Sequence, residues 1–139
     1  ILRLGTVYGY SQGMRFHTAV NKFCLQAALG KPLTIWKTAY NQVRPYLGLD
    51  DLNRTLQYIL KENLFNNETY NIVSSNLTVK QVVKLIEENI MIKKHFVEHE
   101  IMNQLSYNVL NYKFQNTGFK FKSNISKSIK EILSNLKNI

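Results

Sequence analysis

A chain of 139 residues with 45% apolar content can bury one real core and is too short for two independent domains. Its net charge of +9 is spread as +4 over residues 1–70 and +5 over 71–139 and is mostly lysine, which argues against a nucleic-acid partner, since such partners favour one concentrated, arginine-bearing face. No stretch approaches the roughly 20 apolar residues of a membrane span, the first residues lack a signal peptide's charged start, and the lone Cys24 excludes an internal disulfide and points to a reducing, cytoplasmic setting.

In chain order, Ile1 to Leu4 reads as the end of a buried parallel strand: short, apolar and followed by a glycine-containing turn. Because the chain begins inside a strand and without Met, it is expected to be a fragment. From about Arg15 to Leu29 the apolar spacing of Phe16, Ala19, Val20, Phe23 and Ala27 predicts a helix, with Gly30 as its C-terminal stop. Pro32 opens a short strand, Leu33 to Trp36, and a second extended piece runs from Gln42 to Leu47. Asp50 or Asp51 is expected to cap a helix carrying Leu52, Leu56, Ile59 and Leu60. Glu68 to Val73 is a strand. Thr78 caps a further helix with Val79, Val82, Val83, Ile86 and Ile90 on one face, and Ile92 to Val97 is a candidate strand. The last helix, about Ile125 to Leu136, gathers Ile125, Ile129, Ile132, Leu133 and Leu136 on one side.

Strands alternating with helices define an α/β protein. The residues alone suggest no cofactor. His95 and His99 form an i, i+4 pair, but zinc needs a third ligand, and the order His95-Phe96-Val97-Glu98-His99 is not H-E-x-x-H. No Ser or Cys sits in a recognisable nucleophile elbow. The lysines nearest the C-terminus, Lys113, Lys120, Lys122, Lys127, Lys130 and Lys137, read as a solvated face.

Two runs carry more. Arg3-Leu4-Gly5-Thr6-Val7-Tyr8-Gly9 is similar to an R-x-x-N-V-Y-G strand and loop, and Gln42-Val43-Arg44-Pro45-Tyr46-Leu47-Gly48-Leu49-Asp50-Asp51 to a Q-x-R…V-D-D strand leading into a helix. Tyr70-Asn71-Ile72-Val73 follows as a Y-N-i strand, and the stretch from Tyr107 to Phe121 resembles the segment before a last helix. In this order the runs resemble the second half of an extended short-chain dehydrogenase/reductase of the NAD-dependent epimerase/dehydratase family, which remodels nucleotide-activated sugars. The fold implied is α/β: the C-terminal part of a Rossmann-like enzyme with a small α/β substrate-binding lobe. Residues 1–14 and 47–74 would belong to the NAD-binding lobe, and residues 15–46 and 75–139 to the substrate-binding lobe. The strands of the larger lobe would lack neighbours, and residues 1–139 are expected to fold poorly without the missing N-terminal half.

The resemblance implies NAD as cofactor and a nucleotide sugar as substrate. Arg44 would grip the diphosphate, because a planar guanidinium takes two phosphate oxygens at once. Gln42 would sit beside it, Trp36 and Lys37 would line the nucleotide-base slot, and Thr6 stands where the family has a substrate-bonding Asn. Leu4, Gly5, Thr6 and Val7 would pass the nicotinamide through backbone groups. Arg15, read as a cation at a helix start where the dipole disfavours it, hints at an anionic partner. The family's catalytic Tyr-x-x-x-Lys pair and its Gly-rich loop are both absent from this sequence, so no catalytic residue is assigned and the chain is not expected to catalyse alone. Pro45 replaces the family's Asp, Lys37 to Asn41 replaces its Gly-Asp-Gly turn, and Glu100 to Ser106 shows no second phosphate-binding run. The preferred reading is a substrate-binding fragment of an NAD-dependent epimerase or dehydratase. The alternative is a non-catalytic binding protein, either a degenerate sugar-nucleotide binder or a basic nucleic-acid module. A homodimer is left open, since the family pairs through helices that would precede Ile1.

Overall fold

The computed structural model describes residues 1–98 and 106–137. In chain order these form β1 (Leu2–Leu4), β2 (Thr6–Tyr8), α1 (Ala19–Ala28), β3 (Leu33–Trp36), a 3-10 turn (Lys37–Ala39), β4 (Val43–Gly48), α2 (Leu49–Lys61), β5 (Tyr70–Ile72), β6 (Ser75–Thr78), α3 (Val79–Glu87), β7 (Lys94–Val97), α4 (Tyr112–Gln115) and α5 (Ile125–Leu136). The strand at Leu33–Trp36 and the helix at Ile125–Leu136 fall where hydrophobic spacing puts them. Gly30, at φ +64°, ends α1 in the left-handed conformation that a side chain resists, and its N–H closes onto the Ala27 carbonyl.

Three small sheets result. β1 and β5 pair in parallel, β3 and β7 pair in parallel, and β4 lies between parallel β2 and antiparallel β6. Leu4 and Thr6 flank the single residue at which the chain passes from one sheet to another. That residue is Gly5. A Cβ there would stand 3.1–3.2 Å from the backbone of Pro45 and Tyr46, tighter than ordinary contact, so the crossing favours a residue without one.

β4 separates two cores. Tyr46 on one face joins Tyr8, Phe23, Leu33, Ile35, Val82, Val83, Ile86, Ile129 and Ile132, where α1, α3 and α5 pack together. Leu47 on the other joins Tyr70, Ile72, Phe114 and Phe119, with Leu52 and Ile59 of α2 packed against them. A strand covered on both faces reads as continuous apolar sequence, as Pro45, Tyr46 and Leu47 do.

Several expectations are corrected. β1 is parallel but not buried: Ile1 is 80% and Leu4 48% exposed, because β5 is the one strand beside it among the described residues. α1 begins at Ala19 rather than Arg15, since Asn21 bonds Gly9 N–H (3.3 Å) and the Arg15 carbonyl (3.1 Å) and holds residues 9–15 as a loop. Neither Asp50 nor Asp51 caps α2. Gly48 holds the N-cap position, and Asp51 turns inward, fully buried. β6 and the single turn of α4 have no periodicity of their own. β6 exists through its pairing with β4, from Val43 opposite Thr78 to Tyr46 opposite Ser75.

Candidate functional site

The site is built where β1, β2 and β4 converge. In a paired ladder, partner residues share a face and alternate residues of one strand share it too. Thr6 is the register partner of Tyr46, so Thr6, Tyr46 and Arg44 stand on the same side of the sheet. Arg44 is partly buried. Its Nη2 donates to Gln42 Oε1 at 2.5 Å, its Nη1 reaches the Val43 carbonyl at 3.3 Å, and its guanidinium lies 5.6 Å from the centre of the Tyr107 ring. A guanidinium held on a ring face and by an amide oxygen is oriented before any ligand arrives, which lowers the ordering cost of binding.

Tyr107 was invisible as a partner of Arg44 from the sequence, because the two are brought together from distant parts of the chain. Tyr107 N–H bonds the Val43 carbonyl (3.4 Å), and Ser106 Oγ accepts from Val43 N–H (2.9 Å). The following residues are strapped down by asparagines. Asn76 bonds Val109 reciprocally (3.1 and 2.9 Å), Asn71 donates to the Leu110 carbonyl (3.0 Å), and Asn111 donates to the Val73 carbonyl (2.6 Å). This strap and the end of β1 enclose a groove of about 630 Å³ lined by Arg3, Leu4, Gly5, Pro45, Asn71 and Tyr107 among others.

Leu4 and Gly5, two of the residues expected to pass a cofactor, therefore border a cavity. Thr6 and Val7 lie in β2, with Val7 packed toward the second core. Gly5 lines the groove, while the side on which a Cβ would stand is filled by the backbone of Pro45 and Tyr46. This is a partial fit to NAD: the β1–β2 crossing offers backbone contact, and the sequence holds no Gly-rich loop for a pyrophosphate.

Trp36 and Lys37 sit at the end of β3. Trp36 is 46% exposed and pairs with Val97 of β7 in the ladder. Lys37 Nζ reaches Glu98 Oε1 at 2.9 Å on the surface. Beside them Tyr40 and Phe96 meet edge to face with centroids 5.1 Å apart, an aromatic pair whose members are 56 residues apart in sequence. Arg15 is exposed in the loop before α1. Lying outside the first turn of α1, it does not oppose that helix's dipole. His95 lies exposed on β7. His99 and residues 100–105 are outside the described residues, as is most of the run expected to lack a second phosphate site.

The strongest electrostatic feature is Asp51. It accepts from Lys122 N–H (2.9 Å), Ser123 N–H (2.9 Å), the Ser74 hydroxyl (2.8 Å) and Arg54 Nη1 (2.6 Å). Burial pushes its pKa up, and the backbone and hydroxyl donors outweigh burial and hold it below the ordinary carboxylate range. Arg54 also donates to the Lys120 carbonyl (2.8 Å). Asp51 thus fastens residues 120–123 to α2. Cys24, buried in the first core with its thiol pushed up to about 12 by burial, is chemically inert.

A parallel strand pair, a β1–β2 crossing at Gly5 and a groove of about 630 Å³ beside it define an α/β chain with an open cleft at the end of β1. The chain belongs to the NAD dependent epimerase/dehydratase family, whose model matches residues 1–73. Among solved structures, UDP-glucose 4-epimerase of Thermus thermophilus, in complex with NAD, matches with a TM-score of 0.80 and 21% identity over 98% of this chain and 45% of that one. UDP-glucuronic acid 4-epimerase from Bacillus cereus, in complex with UDP-glucuronic acid and NAD, gives 0.82 and 21% over 99% and 44%. RMD from Pseudomonas aeruginosa, complexed with NADPH, gives 0.79 and 17% over 99% and 48%. The chain spans less than half the length of these neighbours and shares their fold. No curated protein sequence matches it. Among the described residues no helix is long and apolar enough to cross a membrane.

Proposed function

We propose that this chain is the substrate-binding part of an NAD-dependent nucleotide-sugar epimerase or dehydratase and that Arg44 binds the substrate's diphosphate. The observation that carries this is the orientation of the Arg44 guanidinium by Gln42 and by the ring of Tyr107, a residue that also lines the groove at the β1–β2 crossing. Thr6, on the same face, offers a hydroxyl to the sugar, and Trp36 with Lys37 offers an aromatic plane and a cation to the nucleotide base. Arg15 adds positive field near the first helix. Leu4, Gly5, Thr6 and Val7 border the nicotinamide through their backbone. NAD, when bound, supplies a hydride acceptor for a sugar carbon. Residues 1–14 and 47–74 contribute to its lobe, residues 15–46 and 75–139 to the substrate's, and the pair that moves the hydroxyl proton comes from the rest of a cytoplasmic enzyme.

The nucleic-acid alternative has less support. Two of the four arginines are engaged within the chain, Arg44 with Gln42 and Arg54 with Asp51, and the six C-terminal lysines are spread over exposed positions. Titration of the natural-length protein with UDP-glucose and UDP-glucuronic acid tests the proposal. Arg44→Ala is expected to weaken the better ligand about 10- to 100-fold, as loss of a charge-assisted phosphate contact does. Arg44→Lys should recover part of the loss. Equal affinity of Arg44→Ala and the parent would refute the assignment.

A further inference from the structure

The strap that carries Tyr107 is held by contacts of different kinds. Asn71 and Asn111 each span it with one donated bond, to the Leu110 and Val73 carbonyls. Asn76 makes two bonds with a single residue: its Nδ2 donates to the Val109 carbonyl (3.1 Å) and its Oδ1 accepts from Val109 N–H (2.9 Å). A side-chain amide that exchanges both bonds with one residue does the work of a neighbouring strand and satisfies both main-chain groups of that residue at once.

Val109 lies two residues beyond Tyr107, whose ring stands 5.6 Å from the Arg44 guanidinium. Tyr107 is 49% exposed, so packing secures it on one side only and its place is set by the backbone around it. Before the ring, Ser106 Oγ accepts from Val43 N–H at 2.9 Å, while the bond from Tyr107 N–H to the Val43 carbonyl is long, at 3.4 Å. After the ring, Asn76 holds Val109. Tyr107 is thus suspended between β4 on one side and β6 on the other. The two attachments meet again in the β4–β6 ladder, where Arg44 is opposite Leu77 and Pro45 opposite Asn76. Asn76 therefore stands one register step from the partner of the arginine whose aromatic neighbour it helps to hold.

We propose that Asn76 is a positioning residue for ligand binding: by clasping Val109 it keeps the Tyr107 ring on Arg44, so that the guanidinium is ordered before an anionic diphosphate arrives. That the ligand is a diphosphate rests on the functional reading above; the clasp itself does not. Asn76 does not line the groove and acts through Tyr107. Without the clasp, Arg44 has to be ordered at the moment of binding, and affinity falls.

UDP, a diphosphate without a sugar, is the probe, titrated into the natural-length protein. Asn76→Ala is expected to weaken UDP about 3- to 10-fold, the ordering cost of one long side chain, and Asn76→Ser, a milder change, by less. In the Arg44→Ala background, Asn76→Ala should add no more than about a twofold loss, because its effect runs through that guanidinium. Losses that multiply, or an Asn76→Ala variant that binds as the parent does, overturn the proposal. Gln26→Ala controls for destabilisation alone, since it breaks a similar amide clasp on Thr34 between α1 and β3 (3.1 and 3.2 Å). A loss of UDP affinity as large as that of Asn76→Ala would also overturn it. The Arg44 Nε–H resonance reads the clasp without any ligand: the Tyr107 ring current displaces it, and Asn76→Ala should move it in the same direction as Tyr107→Leu. An unmoved resonance in Asn76→Ala sinks the clasp alone. A moved one, together with full UDP affinity in Arg44→Ala, sinks the substrate assignment alone.

Discussion

Asp51 shows how one side chain can be legible as a residue and misread as a role. An acidic residue at the start of an apolar-periodic run is the ordinary signature of a helix cap, yet Asp51 is turned away from that job by donors 71 and 72 residues further on, Lys122 and Ser123. Its folded pKa lies below the unfolded value, so the stability it adds is present above the ordinary carboxylate range and is lost as pH falls through the folded value. Asp51→Asn puts an amide N–H against backbone N–H donors and leaves Arg54 without its carboxylate; it should cost about 3 kcal/mol, as breaking a buried charged pair does. Melting temperatures recorded from pH 7 down to pH 3 should show a steep acid limb in the parent and a flatter one in the variant. A variant as stable as the parent at pH 7 would show that Asp51 is not the fastener.

Elements divide by where their order comes from. α3 and α5 carry their own instructions: a 3.6-residue apolar stripe and a local cap. At α3 the Thr78 hydroxyl accepts from Gln81 N–H (3.1 Å) while Gln81 Oε1 accepts from Thr78 N–H (2.7 Å), a reciprocal capping box. Thr78→Ala should therefore lower stability by about 1 kcal/mol and Thr78→Ser by much less, read from denaturant midpoints. β6 is the opposite case. Its residues Ser75, Asn76, Leu77 and Thr78 have no strand pattern, and β4 imposes the extended conformation by antiparallel pairing. The strap at 107–111 is likewise invisible in advance, since its asparagine anchors lie 33 to 39 residues away.

At the scale of the whole molecule, two cores share β4, and Phe114 closes the second. It is fully buried, with the rings of Phe119, Tyr70, Tyr58 and Phe121 at 4.9, 5.4, 6.0 and 6.2 Å. Phe114→Ala should cost about 3–5 kcal/mol and loosen β5 against the C-terminal segment. Near-UV circular dichroism and a denaturant midpoint check this, and an unchanged midpoint would mean the second core does not depend on it. The sequence by itself determined the α/β class, the family, the main helices and the strand bearing Arg44, because hydrophobic period, Gly30 and short motifs act over neighbouring residues. Only the tertiary structure decided that Tyr107 orients Arg44, that Asp51 fastens residues 120–123 and that Phe114 completes the second core. Each of these depends on a partner dozens of residues distant, and local pattern carries no record of it.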